Sequence, residues 1–160
     1  MPGVRDEKQE PIGPVDALAI PRFAQPDTFA RLPTLEKVGR AAVAILGVPF
    51  DSGVVYRPGA RFGPAAIRMG SKLLRPYNAW TGSLPFSSRQ VAYAGDVTCT
   101  PFSIEQAIGE IELAAAATFA SAAHIIPLGG AHTIALPLLR AAAPRFAPAP
   151  LVPLHPPLAP

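Results

Sequence analysis

At 160 residues the chain is long enough for one domain with its own core, and an apolar content of 49% sets it apart from intrinsically disordered compositions. Fourteen basic against eleven acidic residues leave a net charge of +3, dispersed along the chain, which argues against the clustered basic face of a nucleic-acid binder. Cys99 is the single cysteine, so an internal disulfide and a cysteine-based metal site are both excluded, and a reducing cytoplasm is the expected compartment.

The N-terminal stretch MPGVRDEKQEPIGP is polar and lacks the apolar core of a signal peptide; residues 1–12 read as a disordered leader. AAVAILGVPF, from Ala41 to Phe50, is a continuous apolar run ended by Gly47 and Pro49, the pattern of a strand buried on both faces. DSGVVYRPGARFG follows as a loop punctuated by Gly53, Pro58, Gly59 and Gly63, and Pro64 suits the first position of a helix that continues through PAAIRMGSKLL. RQVAYAGDV, Arg89–Val97, is a second strand. Ser103 with Gln106 three residues on is a capping box, and Ile104, Ile108, Ile111, Ala115 and Phe119 recur at helical spacing after it.

HIIPL, His124–Leu128, is a third strand, and HTIALPLLRAAA the next helix, with Pro137 tolerable only near its first turn. No Lys, Arg, Asp or Glu lies between Glu112 and Arg140, a length sufficient for a bilayer. Pro127, Gly129, Gly130, His124, His132 and the many alanines there fit a buried strand between helices better than a membrane span. APLVPL, Ala149–Leu154, is a candidate fourth strand, although Pro150 and Pro153 argue against a central place for it. Proline is concentrated here: seven of the 21 fall between Pro144 and Pro160.

Strands alternating with helices imply right-handed crossovers, a parallel sheet and an α/β class, with Ala41–Val48, Gln90–Ala94 and His124–Leu128 as parallel core strands. In such sheets ligands gather at the carboxyl ends of the strands. GVPFDSG, AGDV and LGGAH fall there. His132 is the sharpest candidate: two glycines let the backbone turn tightly and then deliver an imidazole at that edge. A lone histidine at a helix start is otherwise a structural hydrogen bonder. Asp51 and Asp96 occupy the two other strand ends, where capping or loop hydrogen bonding is the favoured reading. His124 begins its strand as an ordinary residue, and His155 in the proline-rich tail receives no role. Neither a G-x-G-x-x-G turn after a strand nor a G-x-x-x-x-G-K-[ST] loop is present, which weighs against a small nucleotide-binding α/β domain.

GPVDALAIPRFAQPDTFARLP, ILGVPFDSGVVYRPGARFGPAAIR, LLRPYN, AGDV and PLGGAHTIALPLLRA, in that order, resemble the N-terminal half of the agmatinase-like ureohydrolases, which belong with arginase and guanidinobutyrase. The resemblance runs from Gly13 to Ala142. It implies a three-layer α/β/α fold on a mainly parallel sheet, here truncated after the third or fourth core strand, and a homo-oligomer. It implies a pair of Mn2+ ions holding a hydroxide that attacks the guanidinium carbon of agmatine, guanidinobutyrate or a similar substrate, releasing urea and an amine. Two cations about 3.5–4 Å apart sharpen such a nucleophile by lowering its pKa. No nucleic-acid or membrane partner is implied.

The resemblance places the metal ligands on the histidine of a Gly-Gly-Asp-His turn, on an Asp-Ala-His-x-Asp segment and on a late Ser-x-Asp-x-Asp-x-x-Asp-Pro segment. Only His132 matches. Ala131 stands for the aspartate of the first motif. His155, Pro157 and Ala159 stand in HPPLAP for the ligands of the second, each a single base change away, and the third motif does not occur. The division implied is a leader over 1–12, the N-terminal part of a ureohydrolase domain over 13–143, and a proline-rich degenerate tail over 144–160. The function implied is an agmatinase-like amidinohydrolase that is inactive as this chain stands. A non-catalytic pseudoenzyme or oligomerisation module is the alternative.

Overall fold

The computed structural model describes residues 10–146, so the leader up to residue 9, the candidate strand Ala149–Leu154 and His155 lie outside the described residues. β1 (Ala41–Val48), β2 (Val91–Asp96) and β3 (Ala122–Gly129) form a parallel sheet in the order β2–β1–β3. The parallel pairing expected from the alternation of elements is the pairing observed.

β1 is central because it is apolar on both faces; it is buried without a break from Ala44 to Val48. Leu46 and Val48 pack with Phe50, Val97, Ile111 and Ile134 in the principal core. Val43 and Ile45, pointing the other way, border a recess with Phe29 and Phe86.

Among the described residues five α-helices surround the sheet: α1 (Leu35–Val38), α2 (Gly63–Ser71), α3 (Pro85–Ser88), α4 (Ile104–Ser121) and α5 (Ala135–Phe146). α4 and α5 cover one face; Phe29, Phe86 and the start of α2, where Pro64 approaches Gly47, lie on the other. Pro64 sits in the first turn of α2 as expected, where its missing N–H would have no helical partner. Pro137 is likewise tolerated in the first turn of α5, after the 3-10 turn His132–Ile134.

α4 departs from the expected pattern in two ways. Ser103 Oγ accepts from the Gln106 N–H at 3.2 Å, but the Gln106 side chain does not return to the cap; it donates to Glu110 at 2.8 Å. Glu110 in turn accepts from the Thr100 N–H at 2.7 Å and so holds the β2–α4 loop. The buried face is Ala107, Ile111, Ala115, Thr118 and Phe119, while Ile104 is exposed. The helix turns its small alanine toward the sheet because α4 lies close above Leu46 and Val48, and the bulkier Ile104 is left outside.

Two arginines tie helix ends to the body. Arg31 is buried and donates to the carbonyls of Lys72 and Leu74, just past the end of α2, and to Val15. Carbonyls at a helix end are left without helical donors and carry the negative end of the dipole, so a guanidinium is stabilised there. Ala30 and Arg31 both take positive φ, 49° and 62°, to reach that position. Arg145, at the end of α5, does the same for α4, donating to Phe119 and Ala122.

The β3–α5 turn is fitted closely onto β1. A Cβ at Gly130 would stand 2.2 Å from the Phe50 carbonyl oxygen and 2.8 Å from that of Val48, both backbone atoms. A Cβ at Gly70, in α2, would meet nothing within 4 Å. Gly130→Ala is therefore expected to lower unfolding free energy by about 1–3 kcal/mol through overpacking. Gly70→Ala is expected to raise it by up to about 1 kcal/mol through helix propensity. The shift of the urea midpoint at constant m-value checks both.

Candidate functional site

The fold carries Asp51, Asp96 and the Gly-Gly turn before His132 to the carboxyl edge of the sheet. In the register, Asp96 lies opposite Gly47 and Gly129 opposite Val48. They do not converge into one site.

His132 follows the Gly-Gly turn. The Ala131 N–H donates to the Phe50 carbonyl at 2.7 Å, which pins the turn to the end of β1, and His132 then opens the 3-10 turn into α5. Its side chain is exposed and, with Ala131 and Thr133, faces the loop Gly53–Arg57 across an open cleft of about 450 Å³. Arg57 lies over the Tyr56 ring at 5.0 Å on the far wall. Ala131 is the N-cap of this turn and makes no side-chain cap.

Asp51 points the other way, into the protein. It is 1% exposed and accepts from the Gly59 N–H at 2.6 Å, the Arg61 N–H at 3.1 Å and Arg61 Nε. Burial pushes its pKa up, but the N–H groups of Gly59 and Arg61 and the Arg61 guanidinium outweigh that effect and hold the carboxyl below the ordinary carboxylate value. The aspartate closes the 51–61 loop, the loop hydrogen-bonding role the sequence favoured for it.

Asp96 is reached through a bulge. Register shifts between Ile45 and Leu46, so that Tyr93 and Gly95 are the successive partners and Ala94 is extra; Gly95 takes φ 92°. The Asp96 carboxylate crosses over Gly47, where a Cβ would fall 1.7 Å from its Oδ1. There it accepts from Arg68 at 2.6 Å to both oxygens and from the Tyr93 hydroxyl at 2.7 Å. Burial first, and then the bond to Asp96, push the Tyr93 phenol well above its ordinary value, so it remains a donor.

Sequence reading missed Arg61 and Arg68. The available signal was indirect: Gly47 within an otherwise apolar strand marks close approach by another group, here the carboxylate that Arg68 holds.

The manganese pair implied by the resemblance is not fitted by these residues. Among the described residues no three of His, Cys, Asp and Glu converge as a metal-binding group. The cleft has one imidazole, a methyl group at Ala131, and no carboxylate lining, because both sheet-edge aspartates face arginines. Mn2+ prefers several oxygen ligands and sits low in the divalent affinity order. Among the described residues no helix is long and apolar enough to cross a membrane.

The sequence profile of the Arginase family matches residues 41–155. Over 131 residues the chain is 40% identical to the guanidinobutyrase of Pseudomonas aeruginosa, covering 80% of this chain and 41% of that one. It is 40% identical over 125 residues to the mitochondrial agmatinase of Gallus gallus, covering 78% and 37%. The solved proclavaminate amidinohydrolase of Streptomyces clavuligerus superposes with a TM-score of 0.75 at 37% identity, over 80% of this chain and 42% of that one. The chain spans about two-fifths of the length of the curated relatives it matches.

Asp51 makes the stability of the fold depend on pH. Its folded-state pKa is depressed, so the folded state binds fewer protons than the unfolded chain in acid. The stability it contributes is present above the unfolded value of about 3.9 and is lost as pH falls through the lower folded value. Asp51→Ala, which strands the Gly59 and Arg61 donors, is expected to cost about 1–3 kcal/mol at pH 7. The gap between variant and parent should narrow below about pH 4, as read by denaturant titrations across pH.

Proposed function

The chain belongs to the arginase family, and from that premise we propose that its scaffold serves hydrolysis of a linear guanidino compound to an amine and urea. The described residues carry part of that scaffold, and among them no group of metal-binding side chains converges. The observation that supports this reading most is the pairing of the Asp51-closed loop with the Gly-Gly turn, which together border the cleft at His132. Agmatine and guanidinobutyrate are the substrates of choice for a test, because relatives named for them are each 40% identical to this chain.

In this reading His132 is the metal-facing imidazole of the complete site. Residues 13–143 are the N-terminal part of the ureohydrolase domain and 144–160 a degenerate tail. A cytoplasmic location and a homo-oligomer belong to the same proposal. The guanidinium carbon is a poor electrophile, stabilised by delocalisation, and bulk water at neutral pH is too weak a nucleophile for it. The ion pairs of Asp51 and Asp96 and the methyl group of Ala131 favour, as a second reading, a scaffold with no catalysis of its own.

The purified 160-residue chain, supplied with Mn2+, is therefore expected to release urea from agmatine and guanidinobutyrate only at the buffer rate, and to lose its metal on gel filtration. Ala131→Asp alone is expected to change neither result, since one added carboxylate still leaves two ions under-coordinated. Two manganese ions retained per chain, together with urea release above buffer, contradict the proposal.

A further inference from the structure

We infer that the amino edge of the sheet, the end opposite the His132 cleft, carries a binding site for an organic anion: a carboxylate or phosphate head on a compact apolar body. The inference is independent of the proposed hydrolysis.

β1 and β3 begin side by side, with Ala41 paired to Ala122. α4 ends at Ser121, next to that pair, and Arg145 in the last turn of α5 reaches the Phe119 and Ala122 carbonyls there. These ends border a cavity of about 690 Å³, within the size range of small-molecule sites. Among the described residues that line it, Arg40 and Arg145 are the charged ones and none is acidic. Ser121 adds a hydroxyl, and the remaining lining is Phe119, Pro144 and the methyl groups of alanines.

Arg145 is ordered before any ligand arrives. Its Nη1 donates to the two carbonyls, that of Ala122 at 3.2 Å. Its guanidinium lies 5.6 Å from the Phe119 ring centroid and 5.9 Å from that of Phe146. Phe146 is fixed in turn, edge-on to Phe119 at 6.0 Å and stacked on His124 at 5.9 Å. A ring attracts the guanidinium charge without using its N–H donors, so Nε and Nη2 keep theirs for a ligand. A side chain already held in place loses little further freedom on binding.

Arg40 comes just before β1, after the left-handed turn at Gly39 (φ 72°). It is exposed, and its side chain makes no hydrogen bond or ion pair among the described residues. At the carboxyl edge, Arg61 and Arg68 each neutralise an aspartate. At the amino edge, Arg40 and Arg145 neutralise none. Two helix C-termini contribute roughly half a negative charge each, against two full positive charges, so the field in the cavity favours an anion. Guanidinium forks match the paired oxygens of a carboxylate or phosphate. Phe119 and the alanine methyls offer no hydrogen bonds, so the rest of the ligand is apolar, and a bare inorganic anion forfeits that contact.

The test titrates the 160-residue chain, followed by amide and arginine Nε NMR, with phenyl phosphate, phenylacetate, inorganic phosphate and benzyl alcohol. Saturable shifts at Ser121–Ala123 and Arg145 Nε are expected with phenyl phosphate or phenylacetate, at a Kd of about 1 mM or tighter. The tighter of the two identifies the head group. Inorganic phosphate and benzyl alcohol are each expected to bind at least about tenfold more weakly. Arg40→Gln is expected to weaken the organic anion about tenfold with the rest of the spectrum unchanged. Ala120→Asp, at an exposed lining position, is expected to abolish binding by like charge. Arg75→Gln, at an exposed position outside the lining, is expected to change nothing. The inference is overturned if neither organic anion gives saturable shifts by about 10 mM. It is equally overturned if benzyl alcohol binds as well as they do, if Arg40→Gln and Ala120→Asp both leave their Kd unchanged, or if the shifts map to the His132 cleft instead.

Discussion

A buried carboxylate that accepts three N–H bonds organises the carboxyl edge of this sheet. Asp51 follows β1 immediately, is 1% exposed, and takes both the Gly59 and Arg61 backbone donors as well as the Arg61 side chain. A desolvated charge left unpaired is costly, so the loop from 51 to 61 has little choice but to fold around it. That loop provides one wall of the cleft at His132 and delivers the chain to the start of α2. The Gly-Gly turn supplies the other wall, and it fits because Phe50, the residue before Asp51, presents its carbonyl to the Ala131 N–H. The two walls therefore share a single anchor at the end of β1.

The same edge shows how one carboxylate at a strand end differs from a ligand set. Asp96 ends its strand at the carboxyl edge, yet the Gly95 bulge and the absence of a side chain at Gly47 let it lie across β1 toward Arg68 and Tyr93. At the other side of β1, Ala131 presents a methyl group beside His132. Position at the carboxyl edge is a property of topology, whereas convergence depends on which way each side chain is pulled. Here arginines do the pulling, and charge-assisted bonds to a guanidinium compete strongly for any carboxylate within reach.

Much of the architecture was legible in the chain because it depends on local rules. The apolar continuity of Ala41–Val48 marked a strand buried on both faces, and Ser103 marked the start of α4 through a cap that the structure contains. Pro64 and Pro137 marked helix first turns. The family was legible too, since the long loop motif between Gly47 and Pro64 is dense in glycine, proline and charged residues whose backbone roles admit few substitutes. What was not legible required distance in sequence. Arg31 meets Lys72 and Leu74 across some forty residues, and nothing in its neighbourhood distinguishes it from a surface arginine.

The sequence by itself determined the elements, their order, their parallel arrangement and the family, because hydrophobic period, capping residues and turn chemistry act within a few residues of one another. Tertiary structure decided which face of α4 is buried, where the Asp51 and Asp96 carboxylates point, and which sheet edge is closed. Those outcomes depend on through-space competition: the small alanine face of α4 is what fits over Leu46 and Val48, Arg61 and Arg68 hold the Asp51 and Asp96 carboxylates, and the Pro33–Thr34 segment reaches β2 while no described residue pairs on the outer side of β3. A carboxylate has the same pattern in sequence whether it faces a cleft or a guanidinium, and only the folded chain brings the competing cation near it.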